Sequence, residues 1–207
     1  METFGDPGWF HHQQIAQLWG LTALRLASSQ IVSFNATNYA NKIKSYLSTL
    51  ESLLQETAGT TNDFETLKKH IRLDHLKDAI QDLTKYAHNL DSKANDLIHH
   101  PVHRECYLSG LVCLSRPRTK EVERVNKAYL EFERGFIGMG LPGRPVYKHV
   151  IYAPGMWEGY AGLTFPSIRE AIAERRWDEA KEQVREISKL LKRGASSRGL
   201  SELGHCI

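Results

Sequence analysis

Leu73-Asp-His-Leu76-Lys-Asp-Ala-Ile80-Gln-Asp-Leu83-Thr-Lys-Tyr-Ala87-His-Asn-Leu90-Asp-Ser-Lys-Ala94-Asn-Asp-Leu97 is the stretch whose reading decides the fold. Its apolar positions step 3-4-3-4-3-4-3 with polar residues between them, which is the heptad seam of one long helix packed at a shallow angle in a bundle. Asp74, Lys77, Asp78, Asp82 and Lys85 occupy the intervening positions and form its wet face. Upstream, Tyr39, Ile43, Tyr46, Leu47, Leu50, Leu53 and Leu54 predict a helix from near Asn38 to Glu56, with Asn35, Thr37 and Asn38 as capping candidates. The polar stretch from Ala58 to Asp63 then reads as a loop. Further upstream, Ile15, Leu18, Trp19, Thr22 and Leu26 keep helical spacing between His12 and Ser29. Leu21 and Leu24 fall off that stripe, so this helix is expected to be buried on more than one side.

Downstream of the seam, residues 99–117 read as irregular. A fourth helix is expected from Thr119 to Phe136, with Val122, Val125, Tyr129, Leu130 and Phe136 as core positions. Gly138, Gly140, Pro142, Gly143 and Pro145 end it. Residues 138–166 form a long stretch rich in Gly and Pro that also holds Tyr147, Tyr152, Trp157, Tyr160 and Phe165. So long a loop in a compact domain is usually functional, and its aromatics predict that it is packed down. Two short C-terminal helices are expected, Ser167–Arg176 and Asp178–Arg193. Ser167 and Asp178 are the expected N-caps, and Ser167-x-x-Glu170 reads as a capping box. Beyond Gly194 the tail reads as loose. The expected fold is all-α: an up-down bundle of about four long helices forming a single domain over 1–207, with one elaborate loop.

Composition sets the class. The chain has 207 residues, 41% hydrophobic and 25% charged, so it can bury a core and is not disordered. A net charge of +3 with scattered Lys and Arg demands no nucleic-acid partner. The basic stretches Arg116–Lys120 and Lys192-Arg193 lack the interleaved aromatics that stack on bases. No run of apolar residues is long enough to span a membrane, and Met1–Pro7 lacks the basic and apolar regions of a signal peptide. Cys106, Cys113 and Cys206 leave at least one thiol unpaired. Cys106 and Cys113 either pair in an oxidising compartment or remain two free thiols. Asn35-Ala36-Thr37 is the one N-x-[ST] tripeptide, informative only if the chain is lumenal.

The chemistry-bearing residues are few. His99, His103, Cys106 and Cys113 are side chains of the type that binds zinc, but their spacing fits no strong zinc signature, so a His-rich surface loop is the preferred reading. No nucleophile elbow or Cys/His signature is present, and Gly138-Met-Gly140 follows a helix, unlike a phosphate loop. His149, between Lys148 and Val150, is the histidine to watch, although a hydrogen-bonded structural role is the more usual one. Trp157 and Glu158 suit either a pocket lining or a subunit contact.

Two blocks carry a family resemblance. One is Gly5-Asp6-Pro7, Phe10-His11, Ile15–Leu18, Leu26–Ser29 and Phe34. The other runs from Tyr129-Leu130-Glu131 and Glu133–Ile137 through Gly140–Pro145, Tyr147–Pro154 and Tyr160-Ala161-Gly162 to Phe165-Pro166. Together they resemble the transferrin-receptor-like dimerisation domain that closes the glutamate carboxypeptidases and the non-enzymatic transferrin receptors. The resemblance runs from about Gly5 to Leu191. It is weakest between Thr57 and Thr119, where residues 99–118 read as an insertion.

The resemblance implies a catalytically silent piece of a longer protein, a symmetric homodimer, and an upstream peptidase domain in the same chain. It implies two zinc ions held by that peptidase domain, with no cofactor in this chain. It further implies that loop 138–166 completes a substrate pocket, where the family presents a Lys-Tyr pair to a terminal glutamate. Tyr160 matches the tyrosine, while Gly159 stands in place of the lysine. For the whole protein, the resemblance implies a zinc exopeptidase or its non-enzymatic receptor counterpart. The expected topology is a type II membrane protein with a lumenal, vacuolar or extracellular ectodomain, this chain making no direct membrane contact.

Overall fold

The computed structural model describes residues 5–107, 112–156 and 162–196; within 103–107 and 112–117 only the backbone is described. The chain divides into two compact units, residues 1–34 and 35–207. In the first, a 3-10 turn (Pro7–Trp9) leads into α1 (Phe10–Ser28). Asp6 starts this helix. Its carboxylate accepts the amides of His11 (3.1 Å) and His12 (2.9 Å) together with the His12 ring, which holds Asp6 at about 2, below the ordinary carboxylate range. No residue of α1 is buried, and Ile15, Leu18, Trp19, Leu21 and Leu24 are each more than half exposed. The expectation of a helix buried on several sides is therefore corrected: its apolar residues run all around it, and none of them is buried within its own unit.

The second unit is built on α2 (Ala36–Ala58), α3 (Thr61–Ile71), α4 (Leu73–His99), α5 (Thr119–Arg134), α6 (Pro166–Ala173) and α7 (Trp177–Ala195). Helix α4 is central and packs against α2, α5 and α7. All eight seam positions are buried, from Leu73 to Leu97, and they meet Ile43, Leu47, Leu50 and Leu54 of α2 and Val184, Ile187 and Leu191 of α7 in one core. Helix α7, expected over Asp178–Arg193, runs over 19 residues and packs against α3, α4, α5 and α6. Gly135 and Gly194 let α5 and α7 approach at their ends, where a Cβ on Gly135 would lie 2.7 Å from the Gly194 Cα. Leu130, read as core, is instead 53% exposed, one step off the buried Val125–Ala128–Tyr129–Phe132 stripe.

Several elements differ from the sequence reading. Helix α3 occupies part of what was read as loop. Thr60 caps it by accepting the Asp63 amide (3.1 Å) and donating its hydroxyl to the Asp63 carboxylate (2.6 Å), a reciprocal pair like a capping box. Two segments read as irregular, β1 (Val102–Tyr107) and β2 (Val112–Pro117), pair antiparallel, with Cys106 opposite Cys113 in the backbone register. These short alternating strands around Ser109-Gly110 give a weaker signal than the helices. Last, α6 begins one residue early, capped by Phe165 in the left-handed region (φ 46°). Ser167 therefore lies inside the helix, its hydroxyl buried without a partner among the described residues, and the expected capping box does not form. Asp178 likewise sits in the first turn of α7, and it accepts from the His70 ring at 3.0 Å.

Candidate functional site

The loop after α5 is pinned from beneath and from its side. Gly138 donates to the Lys148 carbonyl (2.8 Å) and Val150 to that of Phe136 (3.0 Å), so the loop leaves and returns at the same place. Gly140 adopts φ +119°, where a Cβ would lie 2.6 Å from the Pro145 carbonyl oxygen. Only glycine fits this turn without displacement. Phe136, Leu141, Val150, Ile151, Ala153 and Phe165 are buried, so the loop carries its own apolar underside. The aromatics divide: Phe165 is fully buried, whereas Tyr147 and Tyr152 show 41% and 36% of their surface. Strands β3 (Tyr152–Pro154) and β4 (Gly162–Thr164) pair antiparallel and bracket residues 155–161. Gly159 and Tyr160, with Trp157 and Glu158, lie outside the described residues.

Arg144 is the side chain that ties this hairpin to the bundle. Its guanidinium meets both oxygens of Glu170 on α6 (2.7 and 2.6 Å) and donates to the Pro154 carbonyl. Glu170 also accepts the Met156 amide (3.0 Å). The two side chains are only 14% and 12% exposed, so the fork is largely shielded from water. A cleft of about 470 Å³ opens beside it, lined by Pro142, Gly143, Met156 and Ser167. This pair escaped the sequence reading because Glu170 had a plausible local use in a capping box; Arg144 lay in the matched string without an assigned role.

On the α2 side, His149 is held at both nitrogens. Nδ1 accepts the Tyr152 amide (3.1 Å), so in the neutral ring Nε2 carries the hydrogen and donates to Glu133 (3.2 Å). The ring stacks on Tyr152, whose hydroxyl meets that of Tyr46; Tyr39 stacks on Phe136 at 5.5 Å. Burial, reinforced by Glu133, raises the Tyr39 phenol above its ordinary range, and burial with the Tyr46 contact raises Tyr152. These phenols remain neutral donors. The arrangement is an orienting network that contains neither an activated nucleophile nor an open metal position.

Most of the metal candidates lie outside the residues whose side chains are described. His99 ends α4, while His103, Cys106 and Cys113 fall where only the backbone is described. Among the described residues, no group of three or more His, Cys, Asp or Glu could hold a metal ion. None of the described helices is long and apolar enough to cross a membrane.

The class that the fold defines is an all-α helical bundle with a stapled surface loop. Residues 71–197 match the family model of the transferrin receptor-like dimerisation domain, and the chain belongs to that family. Its relatives are glutamate carboxypeptidase-like. A probable glutamate carboxypeptidase of Arthroderma benhamiae is 32% identical over 83% of this chain and 20% of its own length. One from Arabidopsis thaliana is 29% identical over 93% of this chain and 25% of its own. An inactive zinc metalloprotease of Schizosaccharomyces pombe is 22% identical over 93% and 22%. The chain thus spans about a fifth to a quarter of the length of these relatives.

Proposed function

We propose that this chain is the homodimerisation and scaffolding module of a glutamate carboxypeptidase-like zinc exopeptidase, docked on an upstream peptidase domain that holds the two zinc ions. The observation that carries the reading is α1, a 19-residue helix with no buried residue and with Trp19 and Leu18 74% and 63% exposed. So large an apolar surface needs a cover from outside its own unit. The fraction of its relatives' length that the chain covers leaves ample sequence to supply it.

In this reading, loop 138–166 leans over the peptidase cleft and presents Tyr160, while Gly159 withholds the ammonium that would grip a terminal glutamate. A charge-assisted bond of that kind contributes about 1.5–3 kcal/mol, so its loss argues against strict selectivity for acidic termini. His149, bonded at both nitrogens, positions Tyr152 and takes no part in proton transfer. By the same reading the whole protein is membrane-anchored outside this chain, with its ectodomain facing a lumen or the exterior.

A second reading, the same module in a non-enzymatic protein, is favoured by the similarity to an inactive metalloprotease. One experiment separates them. The whole protein, its upstream sequence included, is assayed for zinc content and for hydrolysis of peptides ending in Glu, Gln or Leu. The enzymatic reading expects about two zinc ions per chain and little preference for Glu, with Gly159→Lys raising that preference about tenfold. A zinc-free, inactive protein selects the second reading. Strong native preference for Glu would overturn the role given to Gly159.

A further inference from the structure

We propose that Asn35 is an N-glycan attachment site whose glycan is added before α2 folds and is then carried on the helix cap. The proposal rests on the reading above that this part of the protein faces a lumen. Asn35-Ala36-Thr37 supplies the acceptor pattern, and two independent features of the structure set it apart from a chance tripeptide.

The first is the geometry of Asn35. It is exposed, with extended backbone (φ −122°), and stands at the N-cap of α2. Its side-chain oxygen accepts the Asn38 amide at 2.7 Å, and none of the described residues accepts from its amide nitrogen. An asparagine that carries a glycan keeps its carbonyl oxygen and loses one amide hydrogen. The cap therefore survives the modification, because it uses only the atom that the modification spares. Val32, Ser33 and Asn38 around it are also exposed.

The second feature is Thr37. Its amide donates to Asp91 at 2.7 Å, but its hydroxyl is buried and has no hydrogen-bond partner among the described residues. A valine would fill the same space without burying an unsatisfied hydroxyl, so the folded protein gives no reason for threonine here. The acceptor pattern does, since it requires a hydroxyl two residues after the asparagine. Ala36, fully buried between the two, dates the event. The tripeptide can be read only while the chain is extended and α2 has not yet formed.

In the transfer step, the Asn35 amide nitrogen forms a bond to C1 of a lipid-linked oligosaccharide diphosphate. The C1–O bond to the diphosphate breaks, the lipid diphosphate leaves with that electron pair, and the amide gives up one proton. No oxidant or metal from this chain is involved.

The test uses the whole protein purified from cells of its own source. Peptide-N-glycosidase should increase its mobility by one step and leave an aspartate at position 35, read by peptide mass. Asn35→Asp, which caps a helix equally well, should abolish the step without changing the melting temperature. Thr37→Val should abolish it and leave the deglycosylated protein at least as heat-stable, whereas Thr37→Ser should retain it. An unmodified Asn35 in protein that sealed vesicles protect from added protease overturns the site itself. An unmodified Asn35 in protease-accessible protein overturns the lumenal reading, and the site falls with it. A lower melting temperature for Thr37→Val overturns the assignment of the hydroxyl to the unfolded chain.

Discussion

Removing the guanidinium of Arg144 would leave the Glu170 carboxylate, 12% exposed, facing a site built to neutralise it. Breaking one side of such a shielded pair costs about 3–5 kcal/mol, against near zero for a surface pair. Arg144→Ala should therefore lower the denaturant midpoint by a corresponding amount and speed proteolysis between Pro145 and Pro166. Arg144→Lys should recover only part of the loss, since a single ammonium cannot satisfy both Glu170 and the Pro154 carbonyl in the same planar geometry. Gly140→Ala acts on the same loop by a different route: its φ of +119° and the Pro145 backbone at 2.6 Å impose strain of about 1–3 kcal/mol, measurable as a fall in the same midpoint. Little of this was legible in the sequence. The Gly-Leu-Pro-Gly-Arg-Pro run announced a turn, but the partner of Arg144 lies 26 residues away, and no local pattern connects them.

Helices α2, α4 and α5 are joined by two carboxylates that spacing alone did not reveal. Asp91 on α4 accepts the first amides of α2, Ala36 at 3.1 Å and Thr37 at 2.7 Å, together with the Tyr129 hydroxyl of α5 at 2.8 Å. The cap of α2 thus comes from a different helix 54 residues away, in addition to Asn35 at its own end. Asp91→Ala should cost about 2 kcal/mol, the upper range for a lost cap, while Asp91→Asn, which keeps an acceptor, should cost less. Glu121 in the first turn of α5 is the second such carboxylate. Bonded first by Arg118 and also by Lys93, it is held at about 2, below its ordinary 4.5. A lowered carboxylate contributes stability that is complete above about pH 4.5 and disappears as pH falls toward 2. At 22% exposure, screening leaves about 1–2 kcal/mol of it. Acid titration of unfolding should show that increment between these limits, and Glu121→Gln should remove it. The core of these elements was readable because burial obeys a period: every seam residue of α4 is buried. Helix α3 was not, because its 11 residues bury only Ile71, too few to set a stripe, although Thr60-x-x-Asp63 marked its start. The β1–β2 pair failed for a related reason: six-residue strands alternate too briefly to outweigh a cluster of His and Cys that invites a chemical reading.

The two units of the chain differ in kind: one is a well-buried bundle, the other a helix with no buried residue. In α4 the backbone hydrogen bonds lie behind ten buried side chains and open only with the bundle, so their exchange should report global unfolding. In α1, which has no buried side chain, the same bonds depend within that unit on propensity and on the Asp6 cap. Hydrogen exchange on the chain alone should therefore find the α1 amides fast and those of α4 slow, separated by several kcal/mol of opening free energy, on the order of a thousandfold in rate. The whole protein should bring α1 close to the protection of α4, because a covering surface adds its binding free energy to the helical state alone. Trp19→Glu should abolish that gain while leaving the exchange of α4 unchanged in the chain alone, since Trp19 is 74% exposed and supports nothing within it. Light scattering supplies the companion measurement: the chain alone should associate as its concentration rises, and Trp19→Glu should hold it monomeric. If α1 is as protected as α4 in a chain that stays monomeric at every concentration, the helix needs no cover, and the docking role assigned to it is wrong.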